Sequence, residues 1–247
     1  MLIEKRFREI LEIVNREKSV TVQELMNVLH TSESTIRRDL NTLDSEGKLI
    51  KVHGGAMAVE GVFNGVDSEI QVRQEINTED KAVIGEYASS LIGDNDFVYL
   101  DAGTTTEKII DYLKVKNTVF VTDSLMNAKK LARKGYRSYI LGGEFKSSTE
   151  AVVGSEALES LGKYNFTKGF FGTNGISRKE GFSTPDAKEA AVKKKAMERC
   201  VKKYILADKS KFSKISPITF ADFDEALIIT TGLSDKAFKD CANILEV

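Results

Sequence analysis

The stretch TSESTIRRDLNTLDSEGKLIKVHGGA, residues 31–56, decides how the first quarter of this chain folds. Thr31 or Ser32 offers a side-chain oxygen to cap a helix, and Ile36, Leu40 and Leu43 then recur on one face at helical spacing. Gly47 stops that helix, and the alternation in KLIKVHGGAMAV reads as two short strands turning at Gly54 and Gly55. Upstream, Phe7, Ile10, Leu11 and Val14 mark a first helix ending near residues 15–19. Thr21, followed three residues later by Glu24, makes a capping box for a second helix carrying Val22, Leu25, Met26 and Leu29. Three small helices and a hairpin predict a winged helix-turn-helix over residues 1–58.

With the Ile36, Leu40, Leu43 stripe turned inward, Ser34, Arg38, Asn41 and Ser45 point away, flanked by Thr35 and Arg37. That is the face a recognition helix presents to a major groove. Cations in the first turns of a helix oppose its dipole, so a phosphate or a guanine edge is the partner that fits Arg37 and Arg38. The hydroxyls of Ser32, Ser34 and Thr35 suit phosphate oxygens. Arg38, with Ser34 or Thr35, is expected to read bases and Arg37 to hold backbone. The plainer alternative makes Arg37, Arg38 and Asp39 a solvated, ion-paired surface. Across residues 1–57 nine basic side chains are balanced by nine acidic ones. Non-specific affinity is therefore expected to be modest, with binding dependent on placement and on two or more heads acting together.

The Gly-containing stretch VEGVFNGVDSE lies in an expected linker, residues 59–76, and the remaining chain, 77–247, changes character. The β-prone runs FVYLD, TVFVT, RSYILG, KGFFG, KYILAD and ALIITT alternate with helical segments at 78–91, 124–133, 187–199 and 235–242. Such alternation predicts an α/β domain with a mainly parallel sheet. In FVYLDAGTTTEKIIDYL a strand ends at Asp101 and feeds a helix through Gly103, Thr104, Thr105 and Thr106. Free N–H groups and hydroxyls at such a turn suit an anion, although a βα turn with threonine caps is also ordinary structure. It is not a nucleotide P-loop, since that motif's spacing and lysine are missing. Other strand ends add Gly142, Gly143, the glycines of FFGTNG, Asp186, Lys188 and Lys209. Loops beyond the strand C-termini of a parallel sheet form its ligand crevice. Within KEAAVKKKAMERC, Lys188 is the one residue singled out.

A chain of 247 residues makes one large or two modest domains. Its two cysteines, Cys200 and Cys241, and two histidines, His30 and His53, form neither a disulfide framework nor a metal cluster. No cofactor or metal is expected. The opening MLIEKRFREI is not a secretory core, and nothing approaches the roughly 20 apolar residues of a membrane span. A reduced, cytoplasmic setting is expected, and a net charge of −1 leaves any nucleic-acid binding to local arrangement.

The ordered spacing of Arg6, Ile10 and Val14, then Ser32, Thr35, Ile36, Arg37, Arg38, Asp39 and Leu40, then the wing KVHGGA, resembles the N-terminal signature of the DeoR family of bacterial transcriptional regulators. The resemblance implies a helix-turn-helix near residues 20–39, with Ser34 to Arg38 entering operator DNA and His53 and Gly54 at the wing. It extends to the second half, which is similar to that family's effector domain and hence to the ribose-5-phosphate isomerase fold. It implies that Asp101, Ala102, Gly103, Thr104, Thr105 and Thr106 hold a phosphate. Gly142, Gly143, Glu150, Gly172, Asn174, Asp186, Lys188 and Lys209 would then surround a sugar. LGGEFKSSTEAVVG and YNFTKGFFGTNGISRKEGFSTPD look most like the fructose operon repressors, which implies fructose 1-phosphate as inducer and a homo-oligomer, dimer or tetramer. Asp123 in VTDSL departs from the Asn that relatives usually carry; a carboxylate there repels phosphate or faces hydroxyls.

Kinship with an isomerase raises a second reading, a sugar-phosphate isomerase-like enzyme with Glu150, Glu189 or Asp186 as base. A third, an architectural DNA-binding protein, has no need of glycine-lined strand ends. A sugar-phosphate-responsive regulator, a repressor of a sugar catabolic operon and not an enzyme, accounts for both halves. Replacing Arg37 by Ala is expected to weaken all duplexes alike and flatten the salt slope by about one, measured by binding over a range of salt.

Overall fold

The computed structural model describes residues 3–17, 19–45, 48–52, 54–58, 70–233 and 235–247, in two units, Met1–Phe63 and Asn64–Val247. The first unit runs α1 (Ile3–Glu17), β1 (Ser19–Thr21), α2 (Val22–Leu29), α3 (Glu33–Ser45), β2 (Leu49–Val52) and β3 (Gly55–Ala58). Thr21 Oγ1 accepts from the Glu24 N–H at 3.2 Å while the Glu24 carboxylate accepts from the Thr21 N–H at 2.8 Å, so the capping box starts α2 as its residues dictate. His30 ends α2 in a left-handed conformation, φ 49°, its N–H returning to the Met26 carbonyl. Ile10, Val14, Leu25, Ile36, Leu40, Leu43 and Leu49 are buried together as the core.

The hairpin gains a third strand that its sequence did not announce, because β1 is only three residues long: β1 pairs antiparallel with β3, and β3 with β2. Gly55 permits this, since a Cβ there would lie 2.2 Å from the Val20 carbonyl oxygen. Gly47, the expected helix stop, and His53 lie outside the described residues. Asp39 does not join an exposed ion-paired surface. It is 1% exposed, and Arg6 of α1 grips it in a bidentate pair, Nε to Oδ2 at 2.5 Å and Nη2 to Oδ1 at 3.1 Å. The pair fixes α3 on α1 from inside.

The second unit begins with α4 (Ile70–Glu75), inside the segment read as linker, whose residues 59–69 lie outside the description. There follow α5 (Thr78–Ser90), β4 (Phe97–Leu100), α6 (Thr104–Tyr112), β5 (Val119–Thr122), α7 (Leu125–Arg133), β6 (Arg137–Ile140), β7 (Glu144–Lys146) and β8 (Ala151–Val153). The chain continues through α8 (Ser155–Leu161), β9 (Phe166–Gly172), β10 (Gly175–Ser177), β11 (Gly181–Thr184), α9 (Ala187–Glu198), β12 (Cys200–Leu206), β13 (Ile218–Ala221), β14 (Leu227–Thr230) and β15 (Ile244–Glu246). Seven strands form one sheet in the order β15-β14-β12-β9-β4-β5-β6, every neighbouring pair parallel. Six of them are the runs read from the sequence. The order reverses between β4 and β9, a topological switch point. Alternation along each strand divides the interior: Val98, Leu100 and Phe120 pack with residues of α5 and α6, while Tyr99, Val121 and Phe171 pack with α9 on the other face.

Residues 235–242, expected as a helix, form only a short 3-10 turn at Lys236–Phe238. Asp235 Oδ1 takes the Ala237 N–H at 3.0 Å, and Phe238 stacks its edge on Phe212 at 5.0 Å, so local side-chain bonding and one aromatic anchor replace a helical face. No helix among the described residues is long and apolar enough to cross a membrane.

Losing one partner of a buried ion pair leaves the other uncompensated. Arg6→Met is expected to lower the stability of the head by about 3–5 kcal/mol, with Arg6→Met combined with Asp39→Leu recovering most of it, measured by denaturant unfolding of the full chain.

Candidate DNA and effector sites

On α3, Ser34, Arg37, Arg38 and Asn41 are exposed and Thr35 half-buried, as the wheel requires. The Ser32 hydroxyl lies 2.9 Å from that of Thr35 and 3.2 Å from that of Ser34, which gathers three hydroxyls at the start of the helix. Arg37 does gain a partner in the free protein: its Nε donates to Glu33 Oε1 at 2.7 Å, one turn back. Arg38 carries no carboxylate among the described residues. Gly54 is exposed at φ +85° with open space around it, and its carbonyl accepts from the Val22 N–H at 2.8 Å. Lys51 of the wing strand, a residue not singled out from the sequence, donates from Nζ to Asn41 Oδ1 at 2.6 Å and from its N–H to Asp44 Oδ1 at 2.8 Å. Wing and helix are thereby held in register.

In the second unit the parallel sheet brings the ends of β4, β5, β9 and β12 to one edge, and Asp101 and Gly172 meet at the switch point, the Gly172 N–H donating to Asp101 Oδ2 at 2.9 Å. Asp101 is fully buried, and Lys193 of α9 also donates to its Oδ2. Lys193 Nζ reaches the Gly172 carbonyl at 3.2 Å and stands 5.7 Å from the centre of the Phe220 ring. Lys193, and not Lys188, is the inward lysine of α9. Lys188 is exposed and bonds Glu144 at 2.5 Å. Lys193 lies on the face of Ala190, Ala196 and Met197 that α9 buries.

Of the threonines, Thr106 is committed internally, its hydroxyl donating to the Asp101 and Gly103 carbonyls at 2.7 and 2.8 Å. Ala102 packs against the core. Gly103, Thr104 and Thr105 present N–H groups at the start of α6 that no acceptor among the described residues takes. Asn174, just before β10, is tied to β11 through its N–H to the Ser183 carbonyl at 3.0 Å, and Lys209, 56% exposed, stands 4.0 Å from Asp80. Asp186 caps α9 by accepting from the Lys188 and Glu189 N–H groups. Partial burial opposes its charge, but those bonds and Lys146, at 3.2 Å, hold its carboxyl below the usual range. Glu189 accepts from Thr149 at 2.5 Å and Lys146 at 3.1 Å, so two of the three carboxylates considered as bases serve as anchors. Glu150 adopts a left-handed turn, φ 52°, between β7 and β8. Gly143, Glu144, Gly154, Ser155, Glu156 and Lys188 line an open cavity of about 680 Å³, and Gly142 stands exposed beside it in sequence. Among the described residues no His, Cys, Asp or Glu cluster is arranged to hold a metal.

Sequence reading missed the cations around α6. Lys81 of α5 is 4% exposed and donates to the Arg73 carbonyl of α4. Burial brings its ammonium down to about 8, Asp208 pulling the other way and Lys211, Arg73 and Lys108 adding to the drop. Lys108 belongs to the second turn of α6, and Gly85 of α5 is pressed so close that a Cβ would lie 2.5 Å from the Lys108 Cβ. The charges of Lys108, Lys211 and Arg73 are thus felt at Lys81, with Asp208 opposing them.

Asp123 follows β5 one residue beyond the Leu100–Thr122 pair, which sets it beside Asp101, and one oxygen of each carboxyl is buried without a hydrogen-bond partner among the described residues. Burial, reinforced by Asp101, holds the Asp123 carboxyl well above its usual range. A carboxyl raised on folding contributes stability below about pH 4 that is lost as pH rises towards its folded-state value. Asp123→Asn is therefore expected to raise the thermal midpoint by a few degrees near pH 8, with the gain vanishing towards pH 4.

Family models match both halves: a DeoR-like helix-turn-helix domain at residues 6–62 and a DeoR C-terminal sensor domain at residues 76–232. The chain is 41% identical to the HTH-type transcriptional regulator FruR of Bacillus subtilis (strain 168), over 96% of this chain and 94% of that protein. It is 35% identical to the HTH-type transcriptional regulator IolR of the same strain, with the same coverage. Against a lactose phosphotransferase system repressor of Staphylococcus epidermidis it is 33% identical over 95% of this chain and 94% of the other. Among solved structures, the ribose 5-phosphate isomerase A of Methanocaldococcus jannaschii matches with a TM-score of 0.40 at 14% identity, covering 55% of each chain. With a helix-turn-helix whose capping and core are in place, a sensor domain behind it and relatives matched nearly end to end, the chain belongs to the DeoR family of transcriptional regulators.

Proposed function

We propose that this chain represses a sugar-catabolic operon and is released from operator DNA by a sugar phosphate, with fructose 1-phosphate as inducer. The observation that carries the reading is the buried Lys81 ammonium of α5, which feels Lys108 of α6, Lys211 and Arg73 on one side and Asp208 on the other. A cationic group kept from water at the open end of a helix is stabilised by a dianion. The N–H groups of Gly103, Thr104 and Thr105 supply the directional bonds, and the hydroxyls of Thr104 and Thr105 stand beside them. The sugar would extend over the switch point towards Gly172, Asn174 and Lys209. The relative named as a lactose phosphotransferase system repressor supports a carbohydrate signal. Repression is relieved when the effector binds one arrangement of the oligomer more tightly than the arrangement that holds paired heads on adjacent half-sites.

The test is to titrate operator-bound protein with fructose 1-phosphate, fructose 6-phosphate and tagatose 6-phosphate, alongside an assay for ligand conversion. Release by the first at the lowest concentration is expected; release by none overturns the sensor, and product formation supports an enzyme instead. Because an anion favours the charged lysine, affinity for the phosphate is expected to fall as pH rises through about 8. Calorimetry of Lys81→Met should show binding at least tenfold weaker and without that decline.

A further inference from the structure

We propose that Glu33 is a specificity-determining residue of the DNA-binding head: it occupies Arg37 in place of a phosphate and so suppresses binding to non-operator DNA. The inference rests on α3 being the element that meets DNA. Glu33 is the first residue of α3 and 55% exposed, and its Oε1 accepts from Arg37 Nε at 2.7 Å. Arg37 is itself half exposed, on the same outward side as Ser34 and Arg38. A carboxylate presents to a guanidinium the same kind of acceptor oxygens as a phosphate diester. Position explains why a carboxylate stands here without harming the fold, since it meets the favourable end of the helix dipole. The fold does not require the pair, however, because the hydroxyls of Ser32 and Thr35 and the buried Arg6–Asp39 clamp already fix the start and the body of α3.

The consequence is electrostatic selection. On a random duplex, contacts are mainly to backbone, and Arg37 must leave Glu33, with the carboxylate then standing close to the phosphates. At the right sequence, base contacts from Arg38, which has no competing carboxylate among the described residues, offset that loss. Discrimination is then set by a repulsive element as well as an attractive one.

The full chain, Glu33→Gln, Glu33→Asp, Arg37→Ala, Arg38→Ala and the Glu33→Gln/Arg37→Ala pair would be compared on two duplexes of equal length. One is selected by the full chain from a random-sequence library and the other has mixed sequence. Glu33→Gln is expected to tighten the mixed duplex about three- to tenfold and steepen its salt slope by about one, with a smaller gain on the selected duplex. Glu33→Asp keeps the charge but shortens the arm, so it should move affinity in the same direction by less. No gain should remain when Arg37 is also replaced. The proposal is overturned if Glu33→Gln weakens the selected duplex and spares the mixed one, which would make Glu33 a base reader. It is equally overturned if the gain persists without Arg37, which would reduce it to bulk charge. Should Arg37→Ala and Arg38→Ala leave both duplexes unaffected, it is the placement of α3 on DNA that fails.

Discussion

A single carboxylate at the end of β4 holds the sensor half together at its weakest geometrical point. Where a parallel sheet reverses its strand order, two neighbouring chains leave in opposite directions and the gap between them has no covalent bridge. Here Asp101 closes that gap: one oxygen takes the Gly172 N–H from β9 and the Lys193 ammonium from α9. Lys193 in turn holds the Gly172 carbonyl at 3.2 Å and lies over Phe220. Strands on either side of the reversal, and the helix that covers them, share one charge pair. The carboxylate of Asp101 is thereby committed to this inner face, apart from the N–H groups at the start of α6.

The head is organised on the same pattern, a buried pair beneath an exposed functional surface. Arg6 and Asp39 lock α3 to α1 while adjacent Arg38 stays outward, so one short run of sequence carries both a buried anchor and an exposed cation. Equal numbers of acids and bases across residues 1–57 thus conceal a division of labour. Asp39 pairs with Arg6 inside, Glu33 pairs with Arg37 outside, and Arg38 has no carboxylate beside it among the described residues.

Elements whose signals are local were legible in the sequence. The Thr21–Glu24 box, the Ile36–Leu40–Leu43 stripe and six of the seven sheet strands were all evident from spacing and side-chain type. What stayed hidden depends on contacts made far along the chain. Asp39 looks solvated until Arg6, 33 residues away, reaches it. Lys193 and Lys188 are indistinguishable by composition within KEAAVKKK, and only the face that α9 buries separates them. Lys81 sits in a helix of mixed polarity, and its bond to the Arg73 carbonyl of α4 is a contact that periodicity does not encode. The 235–242 segment misled because its periodicity suits a helix while Phe238 is drawn into an aromatic cluster that periodicity does not encode.

The six residues of α4 are where the chain arrives in the sensor, and each of three ties there leads to a different wall. The Ile70 N–H bonds the Ser148 carbonyl at 3.0 Å, the Gln74 amide reaches Glu107 of α6 at 3.4 Å, and the Arg73 carbonyl receives Lys81 of α5. An ammonium has three N–H donors, and the Arg73 carbonyl takes one of those of Lys81. The first helix of the sensor domain is therefore anchored to a loop, to α5 and to α6 at once, and loss of any one tie leaves two others holding it.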